Sequence, residues 1–145
     1  MSMELSAVTK VLGGKKVLRK NLQSRMDMFE LSNEGITKDA LTHLAKYFSF
    51  SVDQMSRFLP VTERALQRHA PEKAFNRIVS EQILQIAEVA AKGSEVFEGR
   101  EKFLAWMNHP NKSLNNKTPL SLVNSKYGVD MVLDELGRIE HGVFS

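Results

Sequence analysis

Apolar residues along this chain recur at intervals of three and four positions rather than two. Leu41, Leu44, Ala45 and Phe48 fall on one helical face. Within a longer stretch from Phe75 to Ala91, Ile78, Val79, Ile83, Ile86, Ala87 and Ala90 fall on another. Phe97, Phe103, Leu104 and Met107 make a third such face, and Val129, Val132, Leu133, Leu136 and Ile139 a fourth. A period near 3.6 stacks side chains over one another on a helix. The alternating runs of Val, Ile, Thr and aromatics that mark strands are missing, as are repeats at solenoid periods. The predicted fold class is all-α.

Polar punctuation divides these faces. Thr37 is placed to cap the helix that carries Leu41 to Phe48. Ser51-Val52-Asp53-Gln54 reads as a capping box, with the Ser oxygen accepting from the backbone three residues on and the Gln reaching back, which opens a short helix through Leu59. Pro60 stops that helix, Thr62 caps a third, and "ERALQRH" ends before Pro71. Gly93 and Ser94 are expected to end the long helix and start the next. Thr118-Pro119, an N-cap followed by a favoured first position, is expected to begin a fresh helix. The last helix is expected from Val129 to His141, with Gly142 closing it in the left-handed conformation. The first thirty or so residues, with Gly13-Gly14, "KKVLRK" and "MDMFEL", leave a short helix and a mobile basic arm both open. The expected divisions are 1–32, 33–76 and 77–145. The long stripe from Phe75 to Ala91 must be covered, either by the rear of the chain or by a second copy.

Residues 51–69, "SVDQMSRFLPVTERALQRH", have the length and pattern of a helix-turn-helix. Ser56 fills the small position of closest approach, and Met55, Leu59, Val61 and Leu66 fill the apolar ones. The outward residues of the third helix are then Glu63, Arg64, Gln67 and Arg68. Arg pairs with the guanine edge, Gln with adenine, and Glu accepts from the cytosine amino group. Thr62 and the helix N-terminus can sit on a phosphate, and Lys73 adds sequence-independent attraction. The departure is Pro60, which holds φ near −65° where this turn usually uses a glycine at positive φ. A compact three-helix module that never meets DNA is the competing structural reading.

Composition narrows the remaining choices. The 145 residues suffice for one ordinary core or two small helical units. No apolar run is long enough to span a bilayer and the N-terminus lacks a secretory signal, so a cytoplasmic protein is expected. With no Cys, and His43, His69, His109 and His141 scattered without ligand spacing, neither a metal nor any other cofactor is expected. Net charge is +3, unevenly spread: residues 1–31 hold six basic against three acidic groups, 32–77 seven against five, and 78–145 seven against nine. A front half facing a polyanion fits this asymmetry, as does an ordinary solvated surface. His109 and His141 lack the nucleophile and orienting carboxylate that catalysis would need. Glu98, Glu101, Asp134 and Glu135 are expected on exposed helix faces, unsuited to paired acid/base work. Trp106 reads as core.

Local geometry accounts for each residue of "HPNKSLNNKTPLSLV", residues 109–123, taken singly: Pro110 blocks continuation, and Asn115-Asn116 tolerate left-handed backbone. It does not account for their combination with Phe103, Trp106 and the terminal "YGVDMVLDELGRIEHGVFS". That combination resembles the C-terminal domain of the Xre-type antitoxins that pair with RES-domain toxins, the MbcA/ParS/Xre family. The resemblance covers residues from about 35 to 145. It rests on the Trp106 helix, Pro110-Asn111, Leu114, Thr118-Pro119-Leu120, Gly128 and Arg138-Ile139-Glu140-His141-Gly142-Val143. Many members have Gly where this chain has Asn115 and Asn116, which can reach the same backbone region.

The resemblance implies an antitoxin rather than an enzyme. It implies a helix-turn-helix-like module over 33–76 and a helical toxin-binding and dimerisation domain over 77–145, while 1–32 stays outside the resemblance as a basic arm or short helix. The implied partners are operator DNA and a RES-domain toxin that depletes NAD; a second copy of the chain, in a larger assembly with the toxin, is expected because DNA-reading modules of this size work in pairs on half-sites. The implied toxin contacts are Arg138, His141, Gly142, Val143, Phe144 and Ser145, with the C-terminal end presented to the toxin's NAD pocket. Val143 and Phe144 offer apolar anchors, and Ser145 a terminal carboxylate suited to a site built for pyrophosphate. Arg138 could equally pair with Glu135 or Glu140 on its own helix. The alternatives are a dimeric helix-turn-helix regulator without a toxin partner, and a pure protein-interaction module.

Overall fold

A computed structural model describes residues 2–142. Helices dominate, and among the described residues there is no β-strand, only isolated bridges between Thr37 and Ala74 and between Asn111 and Lys117. The helices are α1 (Ser2–Val11), α2 (Lys15–Leu18), α3 (Arg25–Glu34), α4 (Lys38–Tyr47), α5 (Glu63–Arg68), α6 (Arg77–Val96), α7 (Arg100–Met107) and α8 (Lys126–Gly142). Short 3₁₀ segments cover Asp53–Phe58, Lys112–Leu114 and Pro119–Leu122.

The twenty-residue α6 is the axis of the molecule. Its Val79, Ile83, Leu84, Ile86, Ala87, Val89, Ala90 and Ala91 are buried, so it is apolar over most of its circumference. Such a helix needs cover on several sides. The cover comes from within the chain: α1 and α8 pack along it most extensively, and α3 adds a third wall. Ile78, assigned to the apolar stripe by its spacing, is instead 61% exposed. It points to solvent at the start of the helix, while its neighbours Val79 and Ser80 are buried.

Residues 2–34 therefore carry three helices, α1 to α3, that belong to the core. Leu5, Val8, Val11, Leu12, Leu18 and Leu22 are all buried. Burying such side chains contributes about 1.5–3 kcal/mol each, enough to hold a segment whose charge alone suggested solvent. Its basic groups find carboxylates: Lys20 Nζ bridges Glu30 and Glu34 at 3.3 Å each, and Arg25 pairs with Glu88 at 3.0 Å.

The long helix does not end at Gly93-Ser94 as expected. It continues to Val96, and Gly93 is there because a Cβ at that position would lie 2.2 Å from the Phe103 ring. The break falls instead at Gly99, whose φ of +138° few other residues adopt. Thr118-Pro119 also differs from expectation. Thr118 does cap, accepting from Ser121 N–H at 3.2 Å, but the element is a single 3₁₀ turn. The true start of α8 lies at Ser125, whose hydroxyl accepts from Gly128 N–H at 3.2 Å.

Candidate nucleic-acid and partner interfaces

The front surface is built from caps. Thr37 Oγ1 accepts from Ala40 N–H at 3.2 Å and starts α4. The capping box forms reciprocally: Ser51 N–H donates to Gln54 Oε1 at 2.8 Å, and Gln54 N–H donates to Ser51 Oγ at 3.4 Å. It opens a 3₁₀ segment, Asp53–Phe58, rather than the α-helix expected, since few residues remain before Pro60 and short pieces favour the tighter winding. Met55, Leu59 and Leu66 are buried and Ser56 and Val61 half-buried, as the pattern required.

Pro60 is accommodated without any left-handed residue. Leu59 is extended, and Val61 N–H donates to Leu59 O at 2.8 Å, a tight three-residue turn centred on the proline. Thr62 Oγ1 then accepts from Ala65 N–H at 3.0 Å and begins α5. The far end of α5 is held by Lys38, whose Nζ donates to Gln67 O at 3.4 Å and His69 O at 3.1 Å. A cation on the last carbonyls suits the negative end of the helix dipole. The segment that follows is pinned to the start of α4 through Asp39 N–H to Pro71 O at 2.8 Å and Phe75 N–H to Ile36 O at 2.8 Å.

All six residues singled out for nucleic acid, Thr62, Glu63, Arg64, Gln67, Arg68 and Lys73, are exposed on this front surface. Among the described residues Arg64 and Arg68 make no ion pair. Gln67 is engaged, its Nε2 donating to Asp53 Oδ2 at 3.3 Å.

The rear surface is set by the asparagine-rich loop. Asn115 and Asn116 sit at φ of +63° and +64°, the left-handed region that their short polar side chains tolerate. Asn111 Oδ1 accepts from Ser113 N–H at 2.8 Å, while its main chain pairs with Lys117 and Asn116. Leu114, Pro119 and Val123 are buried beneath the loop, and Gln82 Nε2 of α6 donates to Val123 O at 2.7 Å. Gly128 then passes so close to Leu122 that a Cβ would lie 1.7 Å from its carbonyl oxygen. Trp106 packs half-buried against Phe97, ring centroids 5.7 Å apart. The loop thus fixes where α8 starts and in which direction it leaves.

Along α8, Val129, Val132 and Leu136 are buried and Leu133 and Ile139 half-buried, as the periodicity predicts. Glu135, expected to be exposed, is buried, and Arg138 donates to its Oε1 through Nε at 3.0 Å and through Nη2. A carboxylate taken from water in this way needs such a partner. Glu140 pairs instead with Lys92 of α6 at 2.7 Å. That hydrogen bond holds the Glu140 carboxyl below its usual range; burial opposes it, and the charges of Lys92 and His141 add to the lowering.

Gly142 is the last residue of α8 rather than a left-handed cap, correcting that expectation. His141 and Gly142 are exposed at the tip, as is Arg138 one turn earlier. Val143, Phe144 and Ser145 lie outside the described residues. Among the described residues no helix is long and apolar enough to cross a membrane.

Two family profiles match the chain in the order of these surfaces. Residues 27–88 match one described as the antitoxin Xre-like helix-turn-helix domain, and residues 92–142 match one described as the antitoxin Xre/MbcA/ParS C-terminal toxin-binding domain. A Yersinia enterocolitica protein named antitoxin Xre is 30% identical over 113 residues, covering 77% of this chain and 76% of that protein. A Photorhabdus laumondii protein of the same name is 27% identical over 115 residues, covering 78% of each.

Proposed function

Because this chain belongs to the Xre/MbcA/ParS antitoxin family, we propose that it neutralises a RES-domain, NAD-depleting toxin by presenting its C-terminal end to the toxin's active-site pocket. It represses its own operon through α5. It acts by binding rather than by catalysis, in the cytoplasm. The observation that carries this reading is that the matched toxin-binding segment runs to Gly142 and exposes Arg138, His141 and Gly142 along the final turns of α8. Arg138, His141 and Gly142 supply the rigid part of the contact, and Val143, Phe144 and Ser145 the part that enters the pocket.

The proposed assembly contains two copies of the chain together with toxin, since operator half-sites are read in pairs. Most of the α6 stripe is consumed inside the chain, so the second copy meets another face. Sedimentation across a concentration range tests this, and a monomer at every concentration would remove it.

The pocket-plug mechanism is tested by co-expressing the operon's toxin with the full chain or with a chain cut after Gly142, while following cellular NAD. Loss of protection on truncation is expected. Undiminished rescue would sink the plug. A second reading, a DNA-binding regulator with no toxin partner, draws on the free Arg64 and Arg68 side chains. It predicts unchanged NAD and no co-purifying protein.

A further inference from the structure

Three glycines in the rear half lie inside helices, and two are explained within the chain. Gly93 makes room for Phe103, and Gly128 makes room for Leu122. Gly137 is different. It sits well inside the seventeen-residue α8, does not have a positive φ, and a Cβ placed there meets nothing within 4 Å among the described residues. Neither backbone conformation nor internal packing calls for glycine, and the helix would be more stable with alanine.

The surroundings of Gly137 indicate what the missing side chain leaves room for. Asp134, Arg138 and His141 share its face and line with it an open depression that runs to Gly142. Arg138 is held in place by Glu135 through Nε and Nη2, while its Nη1 has no hydrogen-bond partner among the described residues. A pre-oriented guanidinium with a spare edge is suited to an acceptor on another molecule.

We infer that Gly137 is the point of closest backbone approach between this chain and its toxin, with the spare edge of Arg138 donating to a carboxylate or carbonyl on the toxin beside it. This rests on the toxin-binding reading above. The face carries the titratable side chains of Asp134, Arg138 and His141, whereas the centre of a homodimer interface is depleted of charge. It is also continuous with the helix tip from which the pocket-directed tail departs. Absence of a side chain lets a partner's main chain come nearer than any other residue would allow.

The test uses the full chain as wild type, Gly137→Ala and Gly137→Leu, titrated with the purified toxin encoded in the same operon. Gly137→Ala should raise Tm by roughly 3 °C and weaken toxin binding at least about tenfold, with Gly137→Leu weaker still. Operator binding by both variants should match wild type. Two results would overturn the inference: toxin affinity unchanged in both variants, or a lowered Tm in Gly137→Ala, which would give the glycine a role inside the chain. Failure of the wild type itself to bind the toxin is a separate result that removes the underlying reading as well.

Discussion

Arg100 Nε donates to the main-chain carbonyl of Tyr47 at 2.7 Å. The same guanidinium reaches Lys46 O at 3.0 Å and Ser49 Oγ at 2.6 Å through Nη2, and lies 5.9 Å from the centre of the Tyr47 ring. One side chain from the start of α7 therefore caps the end of α4, satisfying Tyr47 O and adding to the bond that Lys46 O already accepts from Ser49 N–H. Burial raises the Tyr47 phenol above its ordinary pKa, and the Arg100 charge partly offsets this.

Arg100→Ala should cost about 1–2 kcal/mol in urea denaturation, because several charge-assisted bonds are lost at a partly exposed site. Arg100→Lys should recover little of that, since an ammonium cannot reproduce the fork.

Gly93→Ala poses a contest between two effects. Helix propensity favours alanine by about 1 kcal/mol. The Phe103 ring stands where the methyl would go, and overpacking costs about 1–3 kcal/mol. We expect net destabilisation, read as a lowered thermal midpoint. A raised midpoint would mean that Phe103 repacks freely.

Replacing Arg64 or Arg68 by Ala should weaken operator binding by about 1–3 kcal/mol and relax base preference at one position. Lys73→Ala should weaken all sequences alike and reduce the salt slope by about one. Mobility shifts at several salt concentrations separate the two patterns. Toxin binding should be unaffected by all three.

The Lys92–Glu140 pair gives a pH signature. The folded Glu140 carboxyl lies below its ordinary value of 4.5, so its contribution is present above that value and is lost as pH falls through the folded pKa. The pair is partly exposed, which limits it to a few tenths of a kcal/mol. Glu140→Gln should therefore lower stability slightly at neutral pH, and the gap should close as pH falls through the folded pKa of Glu140. A constant gap across that range would assign the effect to packing.

Much of the front surface was legible because its signals are local. Thr37, Ser51 and Thr62 each cap a neighbour three residues away, and such bonds depend on nothing distant. Asn115 and Asn116 likewise reveal their left-handed backbone through residue type. What escaped the sequence depends on long-range partners. Gly93 reads as a breaker until Phe103 is known to lie on it. The burial of Glu135 follows from how α8 lands on α6, and the α1 residues Leu5 and Val8 gain their partners only across most of the chain. The depression around Gly137 was missed for the same reason, though an unexplained glycine within a strong helical pattern was a visible clue.

The family profiles meet between residues 88 and 92, and that junction falls in the middle of α6. A helix of this length is about 30 Å of continuous hydrogen-bonded backbone, with α1 along one side and α8 along another. Genetic exchange of the two halves between relatives would therefore join two half-helices, each shaped to neighbours it has left behind. For chimera builders and for recombination alike, the inheritable unit is the whole chain, and specificity for operator and for toxin must change by substitution at the surfaces rather than by shuffling.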